Sequence, residues 1–243
     1  SHADLQALDD VGDTLISVGQ QYGVDFESQI KNKMFIQNGS FASSVGLFDG
    51  NTPLNQKGTG SQRLLSMGLN IQASAGNTLL VIDEVESGLE PYRLRSLLNE
   101  LRTTHASSGQ VIMTTHSPIA VAECTIDELL VVQSSDGHTD VFLLKSEDAK
   151  TNTTIQAQIR KNAESFLCKR IIVCEGKTEI GFVRALDTYL AKEKNYRMAF
   201  KGVGTADGGG SAIFSYTELL RSCGYDVCIL MDSDLPEEDE LKK

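Results

Sequence analysis

Short, mainly apolar runs that end directly in acidic residues constrain the fold of this chain more than any other feature of its sequence. The runs and the acids that follow them are residues 79–82 with Asp83 and Glu84, residues 170–174 with Glu175, and residues 227–231 with Asp232 and Asp234. Continuous runs of this kind are typical of buried strands in parallel sheets. Because ligand sites in such sheets lie at the carboxyl ends of the strands, the sequence predicts an α/β fold with acids at the sheet edges.

Strand patterns alternate with helical patterns in two separate stretches of the chain. The first stretch begins with a Gly-rich turn at Gly58, the second begins at Arg170, and polar residues 145–152 lie between them. Helical connections between strands form right-handed crossovers, which place the strands in parallel sheets. We therefore predict three consecutive parts, which are a first α/β unit over residues 1–148, a linker helix over residues 149–168 and a second α/β unit over residues 169–243.

Local patterns predict several connecting elements. The turn residues Asn38-Gly39, Asp49-Gly50 and Asp136-Gly137 indicate tight turns between strands. Apolar residues at helical spacing indicate a helix over residues 154–167. A short apolar segment predicts a strand near residues 198–203.

Composition narrows the classes of function. The chain contains no run of about 18 apolar residues, so no membrane-spanning helix is expected, and its five cysteines form no Cys-x-x-Cys pair. Reduced thiols in a cytoplasmic protein fit this pattern better than a zinc site or a disulfide framework. The net charge of −11 argues against a broad nucleic-acid-binding surface, since phosphate contacts need Lys and Arg. The same charge is compatible with a metal site, which needs carboxylates.

Asp83 and Glu84 follow an apolar strand in the pattern known as Walker B in nucleotide hydrolases. In that role Asp83 would hold Mg²⁺, and Glu84 would orient or deprotonate the attacking water. A buried strand followed by two surface acids gives the same pattern. The motif alone is therefore compatible with both interpretations.

Three neighbouring segments at ordered spacing favour the functional interpretation. Small residues open a helix whose amino end could approach a phosphate, and they are Thr59, Gly60, Ser61 and Gln62. Ser87 follows Glu84 within a short turn, and His116 follows the next apolar strand, where it could touch a γ-phosphate. Taken singly, these segments are equally typical of a helix cap, a turn and a loop histidine.

In this order the segments resemble the second half of an ABC ATPase head, with its signature motif, Walker B motif, D-loop and switch histidine. The signature departs from the common Leu-Ser-Gly-Gly-Gln form, because Thr59 replaces its Ser and Ser61 its second Gly. The resemblance implies a homodimer, since this motif acts on the ATP of the partner subunit. The sequence contains no Gly-x-x-x-x-Gly-Lys-Ser/Thr loop. We therefore expect this polypeptide to bind ATP poorly and to be inactive in ATP hydrolysis by itself.

The second unit has acids at the ends of two strands. If both strands lie in one parallel sheet, Glu175, Asp232 and Asp234 converge, and their mutual repulsion favours a bound cation. Oxygen ligands of this kind suit Mg²⁺ or Mn²⁺. Glu179 lies one helical turn after Glu175 and is expected at the same edge. The glycines of residues 208–210 are expected to form either a turn at this edge or a flexible loop.

A strand ending in Glu-Gly followed by a strand ending in Asp-x-Asp resembles a Toprim domain, the metal-binding fold of topoisomerases, primases and some nucleases. The resemblance implies that the domain is incomplete at its carboxyl end in this sequence. It also implies metal ligands, which are Glu175, Glu179, Asp232 and Asp234, the first and the last two of them catalytic. Two ions about 3.5–4 Å apart could then stabilise the attacking water and the leaving oxygen at a phosphodiester.

An ABC-type head joined directly to a Toprim domain resembles the OLD family of ATP-dependent endonucleases, over about residues 20–243. This resemblance implies ATP-controlled cleavage or nicking of DNA, in bacterial defence against phage, alone or with a second defence protein. A function of another class also fits the sequence. In that alternative the chain belongs to an ATPase scaffold without nuclease activity that senses a ligand and holds or releases an effector, with the Toprim unit as a docking module.

Overall fold

The computed structural model describes residues 2–36, 43–73, 78–105, 109–144 and 149–232. The chain divides into two units, Ser1–His116 and Ser117–Lys243, each with its own helices and sheets. Both units mix helices and strands, so the predicted α/β class is confirmed. Within the described ranges, no helix combines the length and the apolar character needed to cross a membrane.

The first unit begins with helix α1 (His2–Gln21), which packs on an antiparallel sheet. Its strands β1 (Ile30–Ile36), β2 (Ser43–Asp49) and β3 (Thr52–Pro53) pair in chain order. The predicted turn at Asp49-Gly50 joins β2 to β3, and Gly50 has a φ of +59° that favours glycine. The other predicted turn, Asn38-Gly39, lies outside the described residues.

Helix α2 (Thr59–Ala73) packs closely against α1. A Cβ atom at Gly68 would lie 2.4 Å from Cγ1 of Val18, so the approach of the two helices requires glycine at this position. Leu64 and Leu65 of α2 are buried together with Val18. This packing fixes the helix whose first turn contains the signature-like residues.

Strands β4 (Thr78–Ile82) and β5 (Gly109–Met113) form a parallel pair, and α3 (Pro91–His105) is the connection between them. The prediction that β4 is buried on both faces is wrong for one face. The side chains of Leu79 and Val81 are 59% and 69% exposed. The reason is that, among the described residues, β4 pairs only with β5 and no element covers the face from which these side chains project.

The second unit begins with the short helix α4 (Pro118–Glu123), followed by a hairpin of β6 (Leu130–Ser135) and β7 (His138–Leu143). The predicted turn at Asp136-Gly137 joins these strands. Its two residues have φ values of +50° and +81°. A two-residue type I′ turn requires positive φ at both positions, so the hairpin prediction is confirmed.

Helix α5 (Ala149–Lys161) ends earlier than the predicted helix over residues 154–167, and a 3₁₀ segment, Ala163–Leu167, replaces its last turns. Asn162 lies at the break. Its side chain bonds both backbone groups of Asp207, with Nδ2 donating to the carbonyl at 3.0 Å and Oδ1 accepting from the N–H at 2.8 Å. This tertiary contact accounts for the break.

A parallel three-stranded sheet forms the centre of the second unit. It consists of β8 (Arg170–Cys174), β9 (Val203–Asp207) and β10 (Asp226–Leu230) in the order β10-β8-β9. Helices α6 (Lys177–Lys194) and α7 (Ile213–Ser222) connect the strands, as the alternating pattern predicted. Buried side chains from β8, α5 and α7 form the core beside the sheet, including Ile159, Ile171, Val173, Ile213 and Leu220.

The strand predicted near residues 198–203 is wrong in its placement. Residues Met198–Lys201 form a 3₁₀ turn, and β9 begins only at Val203. Gly202, with a φ of +67°, ends the turn and reverses the chain direction before the strand. The apolar segment predicted as one strand is therefore half turn and half strand.

Candidate functional site

The two acids after β4 are tied to the end of β5 through Thr114. Its hydroxyl donates to Oδ1 of Asp83 at 2.5 Å and accepts from the backbone N–H of Glu84 at 2.8 Å. Arg63 of α2 donates to the carbonyl oxygens of Asp83 and Glu84 at 2.6 and 2.7 Å. These bonds hold Glu84 at a φ of +46°, a backbone conformation that is uncommon outside glycine and that clusters at functional sites.

The predicted switch residue His116 is held by a third acid, Glu86. Oε1 of Glu86 accepts from the backbone N–H of His116 at 2.6 Å, and Oε2 accepts from the Thr115 hydroxyl at 2.7 Å. Burial alone would raise the pKa of Glu86, but the hydrogen bonds from Thr115 and His116 outweigh it, so the pKa lies below its usual value. Glu86 is therefore a charged anchor for the turn that carries His116.

The first turn of α2 lies against the turn that contains Ser87. A Cβ atom at Gly60 would come within 2.3 Å of the carbonyl oxygen of Gly88, so the two glycines allow this close approach. Thr59 lies beside them, with its Oγ1 3.3 Å from the position of a Cβ at Gly88. The structure thus brings the signature-like and D-loop-like segments of one chain together.

Two other signature-like residues have side chains with partners within the chain. Oγ of Ser61 accepts from Nη1 of Arg93 at 3.0 Å. Nε2 of Gln62 donates to the carbonyl oxygens of Asn55 and Lys57 at 2.9 and 2.6 Å. In this structure, both side chains fix the start of α2 to its surroundings.

The acids predicted for the second unit meet at the carboxyl edge of the parallel sheet. The backbone N–H of Glu175 donates to the Leu230 carbonyl at 2.9 Å, which joins the ends of β8 and β10. Oε2 of Glu175 accepts from the backbone N–H of Asp232 at 3.0 Å. The two motifs that the sequence placed about one α-β-α unit apart are therefore in direct contact, while Asp234 lies outside the described residues.

Glu179 has a structural partner at the start of α6. Its Oε2 accepts from the backbone N–H of Gly176 at 2.8 Å and caps the first turn of the helix. Its position close to Glu175 is as expected, but this carboxylate is engaged with the backbone. Searched over the described ranges alone, the chain contains no group of three or more His, Cys, Asp and Glu side chains arranged to hold a metal ion.

The glycine run lies at the same edge as Glu175. The backbone N–H of Gly208 donates to the Cys174 carbonyl at 2.7 Å, and that of Gly210 donates to the Glu175 carbonyl at 3.2 Å. Of the two predicted alternatives, the turn at the acidic edge is confirmed. The backbone of Glu175 is thus held from both neighbouring strands.

Several residues of these sites could not be recognised in the sequence. Thr114, Glu86 and Arg63 contribute through tertiary hydrogen bonds to backbone groups, which leave no spacing signal. Asp207 is a further acid at the carboxyl edge, and its Oδ1 is 2.7 Å from Nζ of Lys161. A correct placement of β9 would have revealed Asp207 as another strand-end acid.

Two family models match the chain. An AAA domain model, whose description also names the AbiEii toxin and a Type IV TA system, matches residues 11–122. A model described as the TOPRIM domain of proteins like the overcoming lysogenization defect protein matches residues 166–234. The first region contains the acids after β4, and the second contains the acidic edge of the parallel sheet.

The Old nuclease of Escherichia phage P2 is 26% identical to this chain over 199 residues. The match covers 74% of this chain and 33% of the phage protein, so the chain spans about a third of the length of that relative. A solved SMC ATPase chain, described for ATP-driven dimerization and DNA-stimulated activation, is 16% identical. The similarity covers 63% of this chain and 98% of that one, with a TM-score of 0.36, which supports no inference about the present fold.

An ATPase region followed by a TOPRIM domain defines the class of this protein. The chain belongs to the OLD family of ATPase–Toprim proteins, as its motifs predicted.

Proposed function

We propose that this chain is part of a divalent-metal-dependent DNA endonuclease that ATP regulates. The observation that carries the proposal is the 3.0 Å hydrogen bond from the Asp232 backbone to the Glu175 carboxylate. It brings the Glu-Gly end of β8 and the acidic end of β10 to one point of the sheet edge. The likeness to a phage nuclease and the match to a TOPRIM domain support a nuclease function for this edge.

The donors at this edge fit Mg²⁺ or Mn²⁺, since hard divalent cations prefer carboxylate oxygens. We propose Glu175 and Asp232 as ligands, with Asp234 and Glu179 completing the set. Glu179 would exchange its bond to the Gly176 backbone for the metal. Such ions, when bound, activate water and stabilise the leaving oxygen of a phosphodiester. The chain itself fixes the backbone of Glu175 and so limits where its carboxylate can reach.

The proposed ATP-dependent part rests on the network around the ends of β4 and β5. Asp83 would hold Mg²⁺, Glu84 would orient the attacking water, and His116 would contact the γ-phosphate. Their positions are fixed by the bonds described above, which supports a preorganised site. In a homodimer, the residues facing the ATP of the other subunit would be Thr59, Gly60, Ser61, Gln62 and Ser87.

The proposed substrate is DNA, and the proposed setting is bacterial defence against phage, alone or with a second defence protein. The likeness to a nuclease supports the choice of a nucleic acid as substrate. The strongly negative net charge of this chain implies that DNA binds at limited basic sites and not over a broad surface.

The test is plasmid nicking by the intact protein in the presence of Mg²⁺ or Mn²⁺. We expect Glu175→Ala and Asp232→Ala to reduce the rate by more than the roughly 100-fold that follows loss of an outer-shell partner of a metal. Glu193→Ala is the matched control, because Glu193 is an exposed acid of the neighbouring helix α6. Nicking that persists unchanged in both site variants would falsify the nuclease proposal.

The alternative of an ATPase scaffold with a Toprim docking module has one observation in its favour, because Glu179 serves as a helix cap. A cell-protection assay separates the two functions. Full protection by Glu175→Ala together with loss of protection in Glu84→Gln is the result expected for the scaffold. Loss in both variants is the result expected for the nuclease.

A further inference from the structure

A cavity of about 640 Å³ opens at the amino edge of the parallel sheet, opposite the acidic edge. It is lined at the starts of the strands, and the residues that matter are Lys169, Arg170, Phe200, Lys201, Gly202 and Asp226. Its volume lies within the range of about 300–1,000 Å³ that is usual for small-ligand pockets. The acids Glu175 and Asp232 follow the opposite ends of the same strands, so this cavity is separate from the site described above.

The cavity is a local concentration of positive charge on an acidic chain. Lys169, Arg170 and Lys201 are exposed cations on its wall, and the one carboxylate there, Asp226, is 3.0 Å from Nε of Arg170. Neither lysine has an ion-pair partner within the described part of the chain. Two ammonium groups are therefore available to an anion.

Phe200 projects into solvent beside these cations and is 84% exposed. Its backbone is fixed in the 3₁₀ turn by a hydrogen bond from its N–H to the Arg197 carbonyl at 3.2 Å. The same turn is anchored to α6, because the backbone N–H of Met198 donates to Oδ1 of Asp187 at 2.7 Å. The turn thus holds the ring in the open next to the basic wall.

An exposed aromatic ring next to lysines matches the way proteins bind unpaired nucleotides. Bases stack on aromatic rings, and the neighbouring cations contact the phosphates. Duplex DNA does not offer the face of a base, because its bases are stacked on each other. We propose that this cavity binds single-stranded nucleic acid, with a base on Phe200 and phosphates on Lys169 and Lys201. The assignment of the ligand rests on the proposed nuclease function.

The test measures binding of a fluorescent oligothymidylate to the intact protein by anisotropy, in EDTA so that cleavage plays no part. We expect Phe200→Ala to weaken binding about 5- to 100-fold, the usual effect of removing a stacked base contact. The matched control is Phe182→Ala, which removes another exposed ring, 61% exposed on α6, and should leave the affinity unchanged. Both rings lie in solvent, so neither change opens the core.

A second variant tests the phosphate contacts. Lys169→Glu combined with Lys201→Glu should reduce the slope of log affinity against log salt by about two, one for each lost contact. The control is Lys192→Glu combined with Lys194→Glu on α6, which changes the net charge equally. Equal losses in both pairs would show only a general charge effect and would overturn the proposal.

The remaining outcomes also decide the matter. Unchanged affinity in Phe200→Ala and in the lysine pair overturns the proposal, as does thymidine monophosphate binding as tightly as the oligonucleotide. Glu175→Ala separates this proposal from the nuclease function, since it should abolish nicking and leave binding intact. If Glu175→Ala abolishes nicking while Phe200→Ala binds normally, the endonuclease stands and the cavity assignment fails. If Glu175→Ala still nicks DNA, the nuclease function fails whatever Phe200→Ala does.

Discussion

Single acidic residues have three different roles in the first unit, although they are almost adjacent in sequence. Asp83 and Glu84 are exposed and available at the end of β4, whereas Glu86 is partly buried and bonded to Thr115 and His116. The difference arises from the turn after β4, in which the backbone N–H of Ser87 donates to the Glu84 carbonyl at 2.9 Å. The turn directs Glu86 toward the end of β5.

The role of Glu86 predicts a loss of stability in Glu86→Ala. This change leaves the His116 N–H and the Thr115 hydroxyl without their acceptor, which costs about 1–3 kcal/mol of unfolding free energy. Urea denaturation measures this cost. Glu90→Ala is the matched control, because its contact with Arg93 is a surface ion pair worth about 0–1 kcal/mol. Equal losses in the two variants would contradict the anchoring role.

The same residue makes the effect dependent on pH. The pKa of Glu86 is lower in the folded state, so its stabilising contribution is fully present above the ordinary carboxyl pKa of about 4.3. The contribution is lost as the pH falls through the lower folded pKa. The difference between wild type and Glu86→Ala should therefore shrink below about pH 4 and stay constant from pH 5 to 7.

At the scale of elements, the contact between the first turn of α2 and the turn at Gly88 depends on a glycine in a helix. Glycine normally lowers helix stability, by about 1 kcal/mol relative to alanine. Gly60 is nevertheless required, because a Cβ would lie 2.3 Å from the Gly88 carbonyl oxygen. A backbone atom cannot be displaced as cheaply as the tip of a side chain.

We predict that Gly60→Ala destabilises the protein by about 1–3 kcal/mol in spite of the better helix propensity, since overpacking dominates. Gly181→Ala in α6 is the matched control. It has no atom within 4 Å of the added Cβ and should raise stability by up to about 1 kcal/mol. Thermal or urea unfolding compares the two. If both changes shift stability in the same direction, the close approach at Gly88 does not decide the outcome.

The elements show which parts of the fold can be predicted and why the others cannot. The parallel strands β8 and β10, and the turn at Asp136-Gly137, follow from local patterns that allow few alternatives. The end of α5 depends on Asn162 bonding to Asp207, which is 45 residues away. Contacts at that sequence separation leave no local pattern, and the same holds for Thr114 between Asp83 and Glu84.

At the scale of the whole molecule, the two proposed chemistries lie in different units of the chain. Asp83, Glu84 and His116 belong to the unit that ends at His116, and Glu175 and Asp232 belong to the unit that follows. The first residue of the second unit, Ser117, caps α4, with its Oγ accepting from the Ile119 N–H at 3.2 Å. The proposed switch histidine is therefore joined covalently to the start of the second unit.

This arrangement predicts that hydrolysis of ATP and cleavage of DNA can be removed separately in the intact protein. Glu84→Gln should lower the ATPase rate by about 10²- to 10⁴-fold, the range for loss of a catalytic base, because the amide cannot take a proton from water. Metal-dependent nicking should remain measurable, with a changed response to added ATP. Glu175→Ala should show the reverse, with nicking lost and the ATPase rate unchanged. If each variant abolishes both activities, one composite site performs both reactions and the division into two chemistries is wrong.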